Sequence, residues 1–98
     1  MLNLSQLQAL RIIETINIRL NSFKRSLYEI MDAIDENEIQ FCKARRQGLE
    51  IIKEFDKYAA LSRRIIKKHL NDVSNCKPIE ELDFIVSYFD EYKPFFQN

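Results

Sequence analysis

The apolar side chains between residues 36 and 73 recur at helical spacing. At about 100° of rotation per residue, they gather on one side of the stretch: Phe41, Ala44, Ile51, Ile52, Phe55, Tyr58, Ala59, Ile66, Leu70 and Val73. Basic residues at spacings of 7, 4, 7 and 4 fall on the opposite side: Arg46, Lys53, Lys57, Arg64 and Lys68. This pattern predicts an amphipathic helix over about residues 36–73.

A second apolar series precedes it, with spacings that alternate between 3 and 4 as in a coiled-coil seam. Its members are Ile13, Ile16, Leu20, Phe23, Leu27, Ile30 and Ile34. The series predicts a helix over about residues 5–34, with Ser5 as its N-cap. Leu7 and Ile18 fall on the polar side, where isolated apolar residues are common in folded proteins.

Asp35-Glu36-Asn37-Glu38 separates the two predicted helices. Asp35 can cap the second helix while Glu38 reaches back to it, as in a capping box. The favoured interpretation is a hairpin turn near Asp35. Two alternatives stay open at this point: one continuous helical rod through residue 73, or a break at Gly48, the only glycine.

The third element follows the polar stretch 71–77. Pro78 suits the first turn of a helix, and three acidic residues then lie where the helix dipole favours negative charge. Pro94 is expected to end this helix, which gives bounds of about 78–92 and flexible ends at 1–4 and 94–98. The expected fold is all-α and a single domain over residues 1–98: a long antiparallel hairpin with a shorter C-terminal helix, forming a bundle on dimerisation.

The composition agrees with few, long helices. The 98 residues are 46% apolar and include one Gly and two Pro, which leaves little turn chemistry. Fifteen basic and fifteen acidic residues cancel, so no overall field favours nucleic acid or membrane. The predicted core comprises Ile16, Leu20, Phe23, Leu27, Ile30, Ile52, Phe55, Ile66, Leu82 and Phe89.

The expected compartment is the cytoplasm. The N-terminus lacks a basic start followed by an apolar core, which a signal peptide requires. No apolar run approaches the roughly 20 residues that span a bilayer. Cys42 and Cys76, the only cysteines, are therefore expected to be reduced.

Catalytic chemistry has little support in the chain. His69 is the only histidine, and one imidazole with two distant cysteines does not make a metal site. No nucleophile motif surrounds it, so no catalytic residue, metal or cofactor is expected.

One short pattern suggests a second function. Arg64 and His69 are separated by four residues, and this spacing resembles the Arg-x4-6-His signature of the HEPN family of small all-α RNases. The resemblance covers only these two positions, and Ile65 stands where the family usually has a polar residue. It implies an RNase that uses Arg64 and His69, although five residues of regular helix turn by about 140° net.

Two surfaces are candidates for binding. Six of the eleven aromatic residues fall between Phe84 and Phe96, and they either cap the end of the bundle or form an exposed patch for a partner. The candidate apolar contacts are Tyr58, Tyr88, Tyr92, Phe95 and Phe96. The second candidate is the basic side of the second helix, formed by Arg46, Lys53, Lys57, Arg64 and Lys68. The favoured interpretation of this side is a solvated surface. A site for an acidic protein ranks second and a site for nucleic acid third.

The predicted function is therefore a small non-enzymatic protein–protein interaction module of the adaptor, chaperone or inhibitor type. The alternative is a nucleic-acid-binding protein or HEPN-like RNase that uses the basic side. A homodimer is expected, because a third helix of about 22 Å covers less than half of a hairpin about 45–55 Å long. Apolar side chains at the stripe edges would then face water: Ile12, Met31, Ile51 and Tyr58. A different protein could cover the groove instead.

Overall fold

Three helices account for most of the chain. The computed structural model describes residues 2–37, 39–73 and 76–97, and its helices are α1 (Leu4–Asp35), α2 (Phe41–His69) and α3 (Lys77–Gln97). The described residues contain no β-strand. Each helix packs against both others in a bundle of 52 × 18 × 17 Å. The prediction of an all-α hairpin with a shorter third helix is confirmed.

The start of α1 is set by Asn3 rather than by Ser5. The Gln6 N–H donates to Asn3 Oδ1 at 2.8 Å, and the Asn3 N–H donates to Gln6 Oε1 at 2.9 Å. These reciprocal bonds form a capping box, which satisfies two backbone donors that a helix start leaves free. The predicted Ser5 cap is wrong, since Ser5 lies inside the helix.

The chain reverses direction between α1 and α2, as the hairpin interpretation predicts. Asn37 has a φ of 59°, in the left-handed region that asparagine tolerates better than most residues. Its N–H donates to the Ile34 carbonyl at 3.0 Å. The continuous rod is therefore wrong, and a break at Gly48 is also wrong because Gly48 lies within α2.

The predicted cap of α2 is wrong as well. Asp35 is the last residue of α1, and Gln40 precedes α2 without a side-chain capping bond. Glu38, the expected capping-box partner, lies outside the described residues. Among the described residues, backbone hydrogen bonds at the end of α1 hold the turn: the Glu36 N–H donates to the Asp32 carbonyl and the Asn37 N–H to the Ile34 carbonyl.

The core consists of two buried clusters along the bundle. The larger one comprises Ile16, Leu20, Leu27, Ile52, Phe55, Ala59, Leu82, Ile85, Phe89 and Phe96. The smaller one comprises Ala9, Leu10, Ile13 and Leu70. Of the predicted core, seven residues are buried, while Phe23, Ile30 and Ile66 are partly buried and pack against the clusters.

The third helix continues through Pro94 to Gln97, so the prediction that Pro94 ends it is wrong. Proline cannot donate a backbone hydrogen bond and crowds the preceding turn. Tertiary packing holds the last turn in place: Phe96 is 1% exposed, and a Cβ on Gly48 would overlap its ring. Gly48 therefore lets the end of α3 approach α2 closely.

The edges of the hairpin are less exposed than the sequence predicts. Of the four edge residues, only Ile12 is exposed, at 48%. Met31, Ile51 and Tyr58 are partly buried and pack against the larger cluster. The single chain thus covers more of its apolar surface than the sequence suggested. Within the described residues, no helix has both the length and the apolar character to cross a bilayer.

Candidate interaction surfaces

Two predicted contact residues, Tyr88 and Tyr92, line one groove between α1 and α3. They stand one turn apart on α3, with ring centroids 4.6 Å apart and planes inclined by 44°. Tyr28 of α1 completes the lining aromatics and is 61% exposed. The groove has a volume of about 580 Å³, and Asn21, Lys24 and Arg25 line its remaining wall. We call it the tyrosine groove.

One end of the tyrosine groove is basic. Lys24 Nζ lies 4.6 Å from the ring centroid of Tyr88 and 5.2 Å from that of Phe84. An ammonium at this distance is attracted by the negative face of an aromatic ring. With Arg25 beside it, Lys24 makes this end suited to anionic groups.

The other end of the tyrosine groove is acidic. A smaller pocket of about 110 Å³ is lined by the same three tyrosines together with Met31, Asp32 and Asp35. The tyrosine rings therefore lie between the two cations of Lys24 and Arg25 and the two carboxylates of Asp32 and Asp35. Such a surface offers aromatic area and both signs of charge within one groove.

Burial raises the pKa of the Tyr88 hydroxyl, and the neighbouring Tyr92, Tyr28 and Glu91 raise it further. A raised pKa means that the phenol keeps its proton at neutral pH. Tyr88 therefore presents a neutral hydroxyl, able to donate and to accept a hydrogen bond.

The predicted aromatic patch is divided by the structure. Phe96 is buried on Gly48, so the expectation that it contributes to an exposed patch is wrong. Phe95 is 43% exposed and packs edge-on against Phe41 of α2, with centroids 5.9 Å apart. Adjacent residues on a helix point about 100° apart, which is why one phenylalanine faces the core and the other does not.

Tyr58 lies in a different groove, between α1 and α2. This groove of about 520 Å³ is lined by Thr15, Ile16, Ile18, Arg19, Ser22 and Tyr58. The Arg19 guanidinium lies 5.5 Å from the Tyr58 ring centroid and 5.7 Å from that of Phe23. Tyr58 is thus half-buried beneath a cation and is not brought together with Tyr88 and Tyr92.

The basic side of α2 is exposed along its whole length. All five of its residues are exposed: Arg46, Lys53, Lys57, Arg64 and Lys68. Glu50 and Glu54 lie one turn from Lys53 and Lys57 but form no ion pair with them, since the ion pairs among the described residues both involve Lys93. The five cations therefore face solvent.

Lys93 links α3 to α2. Its ammonium donates to Asp56 at 2.7 Å and lies 3.4 Å from Asp90. Burial alone lowers the pKa of Lys93, but the hydrogen bond and charge of Asp56, aided by Asp90, outweigh it and leave the pKa raised. Lys93 thus stays charged and fastens the middle of α2 to the later turns of α3.

Arg64 and His69 do not form a common site. Both are exposed, and the shallow groove lined by His69 also involves Ser5, Gln8, Ala9, Ile12 and Ile65 but not Arg64. Cys42 and Cys76 are free thiols. In the described part of the chain, no group of three histidine, cysteine or carboxylate side chains is placed to hold a metal ion.

Sequence reasoning missed Tyr28, Lys24 and Asn21 as groove residues. Their spacing of 3 and 4 does place them on one side of α1. This spacing indicates that the three residues share one side of α1, but it does not indicate that α3 packs beside that side. The sequence analysis therefore identified Tyr88 and Tyr92 of α3 but not the residues of α1 that line the same groove.

Fold and surfaces together define a class: a small three-helix bundle with aromatic grooves on its surface. No family model, no curated protein and no solved structure gives a significant match to this chain. Its function must therefore be inferred from its own residues.

Proposed function

We propose that this protein is a small non-enzymatic interaction module that binds a partner protein through the tyrosine groove. The observation that carries the proposal is the convergence of Tyr28, Tyr88 and Tyr92 on one groove between two helices. Tyrosine offers a large contact area with few rotatable bonds, and it is enriched at binding hot spots. The module would be of the adaptor, chaperone or inhibitor type.

The position of the groove on helices also supports binding. Tyr88 and Tyr92 are half-buried and contact each other, so little side-chain freedom remains to be lost when a partner docks. The free thiols Cys42 and Cys76 accord with action in the cytoplasm, which we propose as the compartment.

Site-specific photo-crosslinking in the native cell tests this proposal. A photoreactive phenylalanine replaces Tyr28, which is 61% exposed, and in a matched control it replaces Ile18, which is 73% exposed on the same helix but in the α1–α2 groove. We expect a discrete adduct with a different protein, rather than with a second copy of this chain, from position 28, and no such adduct from position 18. An adduct from position 18 alone, or from neither position, would contradict the tyrosine groove as the binding surface.

Nucleic-acid binding is the second candidate, and the exposed basic side of α2 favours it. Arg46, Lys53, Lys57, Arg64 and Lys68 are free of ion pairs among the described residues, so phosphate contacts would displace no internal partner. Each such contact would make binding sensitive to salt.

Fluorescence anisotropy with a labelled single-stranded RNA separates the two candidates. The wild type is compared with Lys53→Glu/Lys57→Glu, and with Lys77→Glu as a control exposed on α3. Binding that survives about 200 mM salt and is lost only in the double variant would favour the second candidate. RNA cleavage that disappears in His69→Ala would favour the RNase form of it.

A further inference from the structure

We infer that the acidic end of the tyrosine groove is a cage for a cationic side chain, lysine or arginine, presented by the partner protein. This inference rests on the proposed function and specifies what the partner must carry. It concerns the smaller pocket formed by Tyr28, Tyr88, Tyr92, Met31, Asp32 and Asp35, which we call the cage.

The walls of the cage have the chemistry that a cation requires. Three aromatic rings present faces or edges to it, and the thioether of Met31 adds a polarisable surface. Asp32 and Asp35 supply two carboxylates, and no basic side chain lines the pocket. Aromatic rings with nearby carboxylates attract an organic cation through both its charge and its apolar edges.

The size of the cage agrees with the end of a side chain. Its volume of about 110 Å³ corresponds to about three or four water molecules at about 30 Å³ each. That space accommodates a guanidinium or ammonium group with one or two methylenes.

The protein already holds a cation against one of these rings. Lys24 Nζ lies 4.6 Å from the centroid of the half-buried Tyr88 ring at the basic end of the groove, so this ring already takes part in a cation–π contact. At the acidic end of the groove, the cage offers a second place for a cation beside the tyrosine rings, and no lysine or arginine of the protein lines it. A partner residue can supply that missing cation.

The two ends of the groove also define the polarity of the partner. Arg25 lines the basic end and Asp32 lines the acidic end, and seven residues of helix separate them by about 10 Å. A helical segment of the partner that places a cation in the cage would therefore carry an acidic residue about seven positions away, opposite Lys24 and Arg25. Charge complementarity of this kind fixes orientation as well as affinity.

The test uses a cation and its neutral isostere. N-acetyl-arginine amide is titrated into the whole 98-residue chain labelled at its tyrosine rings, and N-acetyl-citrulline amide is titrated as the uncharged control. The NMR signals of Tyr28, Tyr88 and Tyr92 are followed, and Tyr58, in the α1–α2 groove, serves as an internal control. We expect saturable shifts at the three cage tyrosines and about fivefold tighter binding of the arginine compound.

Matched carboxylate variants complete the test. Asp32→Asn/Asp35→Asn changes two exposed residues of the cage, and Glu29→Gln changes an exposed carboxylate of α1 outside its lining. We expect the preference for arginine over citrulline to vanish in the first and to persist in the second. Equal binding of both compounds to the wild type, equal shifts at all four tyrosines, or a preference unaffected by the double variant would overturn the cage.

The result is separable from that of the crosslinking experiment. A partner adduct at position 28 together with equal binding of arginine and citrulline would retain the interaction module and reject the cage. A preference for arginine without any adduct would retain the cage chemistry and reject the proposed partner-binding role.

Discussion

Gly48 determines how closely the last turn of α3 approaches α2. In an exposed helix interior, replacing glycine by alanine stabilises by about 1 kcal/mol, because alanine loses less backbone entropy. At Gly48 a Cβ would instead overlap the ring of Phe96. Helix propensity therefore favours alanine at position 48, whereas the packing of the bundle favours glycine.

We predict that Gly48→Ala lowers the free energy of unfolding by about 1–3 kcal/mol through overpacking. Urea unfolding followed by circular dichroism measures the change. The same substitution in a Phe96→Ala background is the control, and there it should be neutral or stabilising. An equal effect in both backgrounds would show that Phe96 does not sit on Gly48.

Lys93→Met is predicted to cost about 0.5 kcal/mol, the usual scale for an ion pair that is partly exposed. The control is Lys53→Met, an exposed lysine without an ion pair among the described residues, which should change stability little. Because the pKa of Lys93 is raised in the folded state, its contribution is fully present at neutral pH. It is lost in strongly alkaline solution, as the pH rises through the folded pKa.

Unfolding at neutral and at strongly alkaline pH measures this second prediction. The difference between wild type and Lys93→Met should shrink as the lysine loses its proton. A difference that is the same at both pH values would mean that the charge of Lys93 is not what stabilises the contact with Asp56.

At the scale of the helices, α2 and α3 are joined by a stacked aromatic pair. The rings of Phe55 and Phe89 have centroids 3.6 Å apart and planes inclined by 12°, and both are fully buried. Phe55 also lies beneath Lys93, whose Nζ is 5.9 Å from its centroid. This contact connects the core to the ion pair at its edge.

We predict that Phe55→Ala lowers the free energy of unfolding by about 3–5 kcal/mol, from lost transfer energy and the cavity left behind. That is a large part of the about 5–15 kcal/mol available to a domain. Phe41→Ala, at a ring that is 51% exposed, is the control and should cost clearly less. Chemical denaturation checks both, and a cost below about 1 kcal/mol for Phe55→Ala would place that ring outside the core.

At the scale of the whole molecule, apolar surface remains on the outside of α1. Leu4, Leu7, Ile12 and Ile18 are 71%, 46%, 48% and 73% exposed, and each therefore forgoes a part of the about 1.5–3 kcal/mol that full burial of such a side chain contributes. Leu7 and Ile18 were expected there as isolated surface residues. The exposed set still favours self-association, although α3 covers more of the hairpin than its predicted length allowed.

We therefore predict a homodimer in solution at micromolar concentration. Light scattering should give twice the 11.7 kDa of the single chain, and Ile12→Glu should reduce that mass towards the monomer. Lys53→Glu, at an exposed residue of α2, is the charge-changing control and should leave the dimer intact. A stable monomeric wild type would reject the homodimer and leave a different protein as the partner.

The sequence by itself determined the helical class and most of the core, and it favoured the hairpin over a continuous rod or a break at Gly48. The spacing of Ile16, Leu20 and Leu27 marks the buried side of α1, because the 3.6-residue period is a property of the local chain. The polar residues between the two apolar stripes favoured a turn near Asp35, and the structure excluded the two alternatives. The helical class and the buried sides depend on neighbours in sequence, so the pattern alone carries them.

Only the tertiary structure decided where α3 ends and which side chains share a surface. Pro94 is a local stop signal, but burial of Phe96 against Gly48 outweighs it. Tyr28 meets Tyr88 because the sides of α1 and α3 that carry them lie next to each other. Periodicity says which side of a helix is buried, whereas the rotation and position of one helix beside another depend on how all three pack.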